Sequence, residues 1–195
     1  MANYLVTGAA GFIGSSLAKR LLDDNNTVTT IDNLSSGFFD NIPDGVRFIK
    51  GDCYDKKSID KLKNEKFDCI FHIAGQSSGE ISFEDPEYDL KTNALSTLML
   101  LNYSVETKCR NFIYASTMSV YGDHPNKKIS EDDKAIPKSF YAIGKLASEQ
   151  YLKLYSNYNI KISCLRLFNV YGPGQNMSNL KQGMISIFLK HIISK

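Results

Sequence analysis

The sequence has little excess charge of either sign. Among its 195 residues, 23 Lys and Arg stand against 21 Asp and Glu, a formal net charge of +2. That balance gives no reason to expect nucleic acid or an anionic membrane as a partner, and the pairs Lys56-Lys57 and Lys127-Lys128 read as solvated. No run of about 18 apolar residues occurs, so no membrane span is expected. Met1 to Gly11 has neither the basic start nor the cleavage site of a secretory signal. The four cysteines, Cys53, Cys69, Cys109 and Cys164, show no Cys-x-x-Cys spacing. Three lie in or beside apolar strand-like runs, so buried free thiols in a reducing cytoplasm are expected rather than metal ligands. His72, His124 and His191 are too far apart in sequence to suggest a metal site. No internal repeat or low-complexity tract is present, and the length suits one sizeable core.

The first fourteen residues are the most informative. Tyr4-Leu5-Val6 leads through Thr7 into Gly8, Gly11 and Gly14, and the helical pattern Phe12, Ile13, Ser16, Leu17, Leu21 begins at once. This order reads as strand, tight turn and helix. Glycine at such a turn lets a phosphate approach the backbone, where helix amides and the helix dipole favour its charge. Glycines at a strand-to-helix turn also serve close packing alone. The spacing is Gly-x-x-Gly-x-x-Gly, one residue longer than the commoner fingerprint.

Strand-like and helix-like segments then alternate. Strands are expected at 27–31, 46–50, 68–73, 111–115 and 160–167. Helices are expected over 58–64, from Pro86 through Thr107, and from Phe140 to Tyr155 with Ser139 as its cap. Residues 33–45 read as a polar turn region and 122–137 as a charged loop. This rhythm implies an α/β fold: a doubly wound parallel sheet, Rossmann-like, with helices on both faces. Ligands in such sheets bind beyond the carboxyl ends of the strands. The residues at those ends are Gly8, Asp32, Asp52, Ala74-Gly75-Gln76, Ser116-Thr117 and Phe168-Asn169, all small, polar or acidic except Phe168.

Three constellations carry chemistry. Asp32 ends the second strand 18 residues after Gly14. A carboxylate there can accept both hydroxyls of an adenosine ribose and repels a 2′-phosphate, which favours NAD over NADP; an Asp-Asn turn is the plainer reading. Tyr141 and Lys145 are four apart on one helix, hence on one face. A phenol with an ordinary pKa of about 10 is a poor base at neutral pH. A neighbouring ammonium, helped by an oxidised nicotinamide, favours the phenolate. Most Tyr-x-x-x-Lys pairs are structural; its place after a fifth strand argues otherwise here. Ser116-Thr117 could hydrogen-bond the same substrate oxygen, or satisfy backbone at a strand end.

Taken together, Thr7-Gly-Ala-Ala-Gly-Phe-Ile-Gly14, Asp32-Asn-Leu-Ser-Ser-Gly37, Gly51-Asp52, Ala74-Gly75, Ser116-Thr-Met-Ser-Val-Tyr-Gly122, Tyr141-x-x-x-Lys145 and Arg166-Leu-Phe-Asn-Val-Tyr-Gly-Pro-Gly174 resemble the extended short-chain dehydrogenase/reductases. Within them, the likeness is to nucleotide-sugar epimerases of the UDP-glucose 4-epimerase kind. The resemblance implies that Gly8, Gly11, Phe12, Ile13 and Gly14 hold the NAD pyrophosphate. Asp32, with Asn33, Ser35, Ser36 and Gly37, would hold the adenosine ribose, and Asp52 and Cys53 would border the adenine. Ala74, Gly75, Gln76, Asn93, Ser116 and Phe168 would line the cofactor path. Tyr141 would be the base and Lys145 its partner, Thr117 would bind the reacting hydroxyl, and Asn169 would touch the substrate phosphates.

Epimerases of this kind usually have Ser where this chain has Thr117, but the hydroxyl is retained. The related dehydratases follow that Thr with an Asp-Glu pair, and the decarboxylases keep a Glu at the second of these positions. Here the pair is Met118-Ser119, which disfavours both. The expected activity is inversion at C4 of a nucleotide sugar, UDP-hexose first, through a 4-keto intermediate. The alternatives are a 4-reductase or dehydrogenase and an idle NAD-binding module. A homodimer is expected through second apolar faces on the 86–107 and 140–155 helices, which carry Leu95, Leu98, Met99, Tyr103, Leu146 and Leu152. An NAD-binding domain is expected over 1–176. Residues 177–195, with the amphipathic run Gly183 to Ile193, read as the start of a substrate-binding region that the chain does not complete.

Overall fold

The computed structural model describes residues 1–123, 128–177 and 183–193. Its strands are β1 (Asn3–Thr7), β2 (Thr27–Asp32), β3 (Arg47–Lys50), β4 (Cys69–His72), β5 (Asn111–Thr117) and β6 (Lys161–Leu167). Its helices are α1 (Phe12–Asp23), α2 (Lys56–Asp60), α3 (Ile81–Glu84), α4 (Pro86–Leu90), α5 (Ser96–Thr107), α6 (Phe140–Tyr155) and α7 (Met184–Ile193). The six strands form one parallel sheet in the order β3-β2-β1-β4-β5-β6. The order reverses between β1 and β4, which opens the crevice where such folds take ligands.

Two-sided burial explains why the strand sequences lack alternation. In β1, Leu5 joins a core with Ile31, Ile49, Ile70, Phe112 and Tyr114, while the next residue, Val6, joins a second one with Ala9, Ala18 and Val28. Leu5 and Val6 therefore point to opposite faces, each covered by helices, as parallel sheets require. Fully burying one such Leu or Ile contributes roughly 1.5–3 kcal/mol over leaving it in water. The larger core takes in α5 and α6 through Leu100, Leu101, Tyr103 and Leu152. Tyr103 and Leu152 are thus committed to the sheet-facing side. Leu95, Ile143, Tyr151 and Leu154 carry the outward apolar surface.

Helix starts follow their local chemistry. The Ser139 hydroxyl accepts the Ala142 amide at 3.1 Å and opens α6; such a cap contributes about 1 kcal/mol. Asp85 accepts the Tyr88 amide at 2.9 Å, with Pro86 at the first helical position of α4. The single helix expected over 86–107 is interrupted by a π-turn at Lys91–Leu95. Such turns add a residue to one helical turn and change which side chains face inward. Thr92, Asn93 and Ala94 are all buried there. The strand expected to end at Ala115 runs on to Thr117, so Ser116 and Thr117 are still paired to β6, at Arg166 and Leu167.

Among the described residues, β6 is an edge strand, and its residues are mostly exposed. That corrects one expectation. Cys53, Cys69 and Cys109 are buried, but Cys164 on β6 is exposed because nothing described covers its face; all four are free thiols. His124 and Lys127 lie outside the described residues, as does 178–182, onto which the expected boundary at 176 opens. No helix among the described residues is long and apolar enough to cross a membrane.

Candidate active site

The glycine turn is built by backbone contacts that admit no side chain. Gly8 donates its amide to the Ile31 carbonyl at 3.0 Å and has φ +78°, in the left-handed region. A Cβ at Gly14 would stand 2.2 Å from the Gly8 carbonyl oxygen. Gly11 is the N-cap of α1 and provides no capping side chain, and the first turn carries no acidic residue. The amides at this helix start are left for an anion, supported by the dipole of a 12-residue helix.

Asp32 organises the next section. It is buried, and its carboxylate accepts the Ala10 amide at 3.0 Å and the Leu34 amide at 2.8 Å. It therefore ties the glycine turn to its own turn, and two of a carboxylate's roughly four acceptor positions remain. Asn33 donates to Asp52 at 2.6 Å and accepts the Ser35 amide at 2.9 Å, joining the ends of β2 and β3. Tyr88 donates its hydroxyl to Ser35 at 3.2 Å, reaching across from α4. Burial, with the charges of Asp32 and Asp52, pushes the Cys53 thiol up to about 12, so it stays an inert thiol.

At the other end, α6 brings Tyr141 and Lys145 against β5. Both are buried, and Lys145 Nζ donates to the Ala115 carbonyl at 2.9 Å. It lies 4.8 Å from the Tyr114 ring centroid and 5.9 Å from that of Tyr141. Burial lowers Lys145 to about 8, opposed by the charge of Asp89. Burial also raises Tyr141; hydrogen bonding from Thr117 lowers it and the Asp89 charge raises it further. In the protein alone, desolvation therefore wins and Tyr141 is a phenol at neutral pH. The ammonium does not by itself produce the phenolate that the Tyr-Lys spacing suggests.

The two hydroxyls at the end of β5 have different partners. Ser116 donates to Glu149 at 2.5 Å, and Glu149 also receives the Arg166 guanidinium at 2.7 Å. That hydroxyl proton is committed inward. Thr117 donates to the Ser119 hydroxyl at 3.2 Å and accepts the Ser119 amide at 3.1 Å, where the chain enters the 3-10 turn Met118–Tyr121.

These parts surround one cavity of about 420 Å³. Its walls include Gly8, Gly11, Phe12, Ile13, Gly14, Asp32, Asn33, Ser35, Ser36, Gly37, Asp52, Cys53, Ala74, Gly75, Ser116, Thr117, Tyr141, Lys145, Phe168 and Asn169. Gln76 and Asn93, expected on the cofactor path, are not in the wall. Asn93 is fully buried one layer behind, donating to the Gln76 carbonyl at 3.1 Å and to Asp89 at 3.1 Å. Tyr54, Tyr88, Thr92 and Ser119 line the cavity and were not assigned from sequence. Asp89 is 1% exposed and was missed as well; its signal was its place one helical turn before Asn93, a residue that the resemblance had assigned. Among the described residues, no three His, Cys, Asp or Glu are placed to hold a metal ion.

Residues 4–195 match the NAD dependent epimerase/dehydratase family. The UDP-glucose 4-epimerase of Mycolicibacterium smegmatis is 39% identical over 197 residues, covering 97% of this chain and 63% of that protein. A solved UDP-glucose 4-epimerase from Thermotoga maritima, with UDP-glucose, superposes with a TM-score of 0.92 at 34% identity, covering 98% of this chain and 63% of that one. The Thermus thermophilus UDP-glucose 4-epimerase in complex with NAD gives 0.91 at 36%, with the same coverage. The chain thus spans about 63% of the length of these relatives, and the part of them that forms the substrate domain is largely absent from it. A turn in which added side chains would strike backbone, an uncapped helix start and a buried carboxylate at the end of β2 fit a dinucleotide. The chain belongs to the NAD-dependent epimerase/dehydratase family, and NAD is its cofactor.

Proposed function

We propose that this chain is the cofactor-binding part of a nucleotide-sugar 4-epimerase, with a UDP-hexose as the substrate. The observation that carries the reading is the trio Tyr141, Lys145 and Thr117 at one cavity wall, with Ser119 where a dehydratase or decarboxylase needs a carboxyl group. The relatives include a dTDP-glucose 4,6-dehydratase from Streptomyces antibioticus at 32% identity, so this distinction matters.

In this reading Gly8, Gly11, Phe12, Ile13 and Gly14 bind the pyrophosphate through backbone amides. Asp32 takes the adenosine ribose hydroxyls, with Asn33, Ser35, Ser36 and Gly37 shaping the turn beside it. Asp52 and Cys53 border the adenine. Gln76 and Asn93 act from behind the wall. NAD held there would supply the hydride acceptor and donor for the sugar C4. Thr117 orients the sugar 4-hydroxyl and Tyr141 removes its proton, then gives one back after the 4-keto sugar has turned. Lys145 holds positive charge beside Tyr141, and an oxidised nicotinamide would add to it; the two together favour the phenolate that the protein alone does not produce. Acid–base groups placed in this way typically contribute 10²–10⁴-fold. Asn169 meets the substrate phosphates.

The exposed Leu95 at the entry to α5, with Ile143, Tyr151 and Leu154 on α6, supports pairing of two copies along these two helices. Residues 1–176 then form the NAD domain and 177–195 begin the substrate region. The decisive experiment is incubation with a panel of UDP-, dTDP- and GDP-sugars, with and without added NAD, using this chain and a version extended to the relatives' length. C4 inversion by the extended form without added NAD supports the epimerase. Net oxidation or reduction that consumes added cofactor supports a dehydrogenase or reductase instead. No turnover of any sugar by a folded, NAD-loaded extended form leaves an idle binding module.

A further inference from the structure

Lys145 is a buried cation with no ion pair among the described residues. It is 4% exposed, and its contacts are the Ala115 carbonyl, the Tyr114 ring and the Tyr141 ring, none of them charged. An ammonium in such surroundings sheds its proton unless a negative charge is held nearby. The elements around α6 offer few candidates. Glu80, Glu84, Asp85 and Glu87 at α3 and α4 are exposed, with Glu87 paired to Lys91, and Glu106 is exposed on α5. Glu149 is neutralised by Arg166. His72 on β4 is kept neutral by burial, and burial raises the Tyr114 phenol well above its ordinary value. What remains is Asp89.

Asp89 is held in a specific way. It is 1% exposed on α4, and Oδ1 accepts Gln76 Nε2 at 2.9 Å and Asn93 Nδ2 at 3.1 Å. Its Oδ2 is buried with no hydrogen-bond partner among the described residues. That oxygen lies 3.4 Å from where a Gly144 side chain would begin, so it faces the α6 turn between Tyr141 and Lys145. Asn93 Oδ1 is buried and unpartnered too, and it shares with Lys145 Nζ the space over Gly75, both within 3.4 Å of where a Cβ would sit. The absence of side chains at Gly75 and Gly144 is what lets these groups come together.

We propose that Asp89 is a positioning residue of the active site: its carboxylate is the counter-charge that keeps Lys145 an ammonium beside Tyr141, with Gln76 and Asn93 holding it in place. The placement is a compromise. The same charge disfavours the Tyr141 phenolate directly, so the carboxylate has to be anchored on the Lys145 side rather than left mobile. Gln76 and Asn93 supply that anchor, and their hydrogen bonds and the Lys145 charge counter the rise that burial imposes on Asp89. The two residues that missed the cavity wall thus act through Asp89.

The inference takes from the proposed function only that Tyr141 and Lys145 are the working pair. Its test needs no substrate. Nuclear magnetic resonance of this chain, labelled in lysine and aspartate side chains, follows the Lys145 ammonium and the Asp89 carboxyl with pH; Lys145→Met and Asp89→Asn assign the signals. Asp89→Asn is expected to lower the Lys145 midpoint by about one pH unit or more, a tenfold loss in proton affinity, and Asp89→Glu to bring it back toward the parent value. An unmoved midpoint in folded Asp89→Asn overturns the proposal. Should that variant not fold, the parent protein decides: an ionised Asp89 at neutral pH supports the counter-charge, and a neutral acid there overturns it. Sustained turnover by Tyr141→Phe would instead sink the proposed function, leaving the Lys145–Asp89 coupling to be read independently.

Discussion

Thr7 and His72 stand opposite each other on β1 and β4, and the Thr7 hydroxyl donates to His72 Nδ1 at 2.9 Å. The direction follows from the partners. Ser96 gives its own proton to the Thr92 carbonyl at 2.5 Å, so it accepts from His72 Nε2 at 3.1 Å. Thr7 in turn accepts the Ile73 and Ala74 amides, both at 3.1 Å. A neutral imidazole with the proton on Nε2 completes this network, and a second proton has no acceptor. The pair thereby fixes the chain where β4 turns into the cavity wall.

A pH dependence follows. Burial and the Lys145 charge lower His72 to about 3, from 6.5 when unfolded. Between these values the unfolded chain binds the proton and the folded one does not, so stability falls as pH drops below about 6.5. By pH 5 the loss from this group is about 2 kcal/mol. Urea unfolding at both pH values should show it, and His72→Gln should flatten that part of the dependence. An unchanged difference in that variant would assign the acid sensitivity elsewhere.

Gly14→Ala should damage both turn and binding. Its Cβ would lie 2.2 Å from the Gly8 carbonyl oxygen, so backbone must move. Overpacking of this kind typically costs about 1–3 kcal/mol. A lower melting temperature and loss of NAD binding by calorimetry are expected together.

Asp32 should decide between cofactors. NAD is expected to bind far more tightly than NADP. Asp32→Asn should weaken NAD about tenfold or more, the scale of a charge-assisted hydrogen bond at roughly 1.5–3 kcal/mol. Titration calorimetry with both dinucleotides checks this, and equal affinities in the parent protein would remove Asp32 from ribose recognition.

Tyr141→Phe should keep NAD binding while turnover of the extended form falls about 10²–10⁴-fold. Near-normal turnover would take the phenol out of the mechanism.

Two copies should associate through α5 and α6. Light scattering at micromolar concentration is expected to give a dimer. Ile143→Asp with Leu154→Asp, placing charge on exposed apolar positions of α6, should give a monomer that still binds NAD. A monomeric parent protein would count against the interface.

Much of the site was legible because its parts are local. A glycine turn, a strand-end acid and a Tyr-Lys pair are set by neighbours within a few residues, and the parallel sheet then gathers strand ends on one edge. The misses are non-local. Nothing near Cys164 in sequence says that β6 lacks a described neighbour on its outer side. The π-turn at Lys91–Leu95 depends on what α6 and the 74–76 segment place against it, not on helix propensity. Tyr141 is raised rather than lowered because desolvation exceeds the effects of its neighbours.

The sequence by itself determined the alternating strand-helix order, the strand-end position of Asp32, and the one-turn spacing of Tyr141 and Lys145, because each rests on backbone geometry and short-range periodicity. Only the tertiary structure decided what those groups face. It turned Ser116 inward to Glu149, moved Gln76 and Asn93 behind the wall, and placed Asp89 against the α6 turn between Tyr141 and Lys145. Burial and charge at a site are sums over elements distant in sequence, and such sums exist only once the chain has folded.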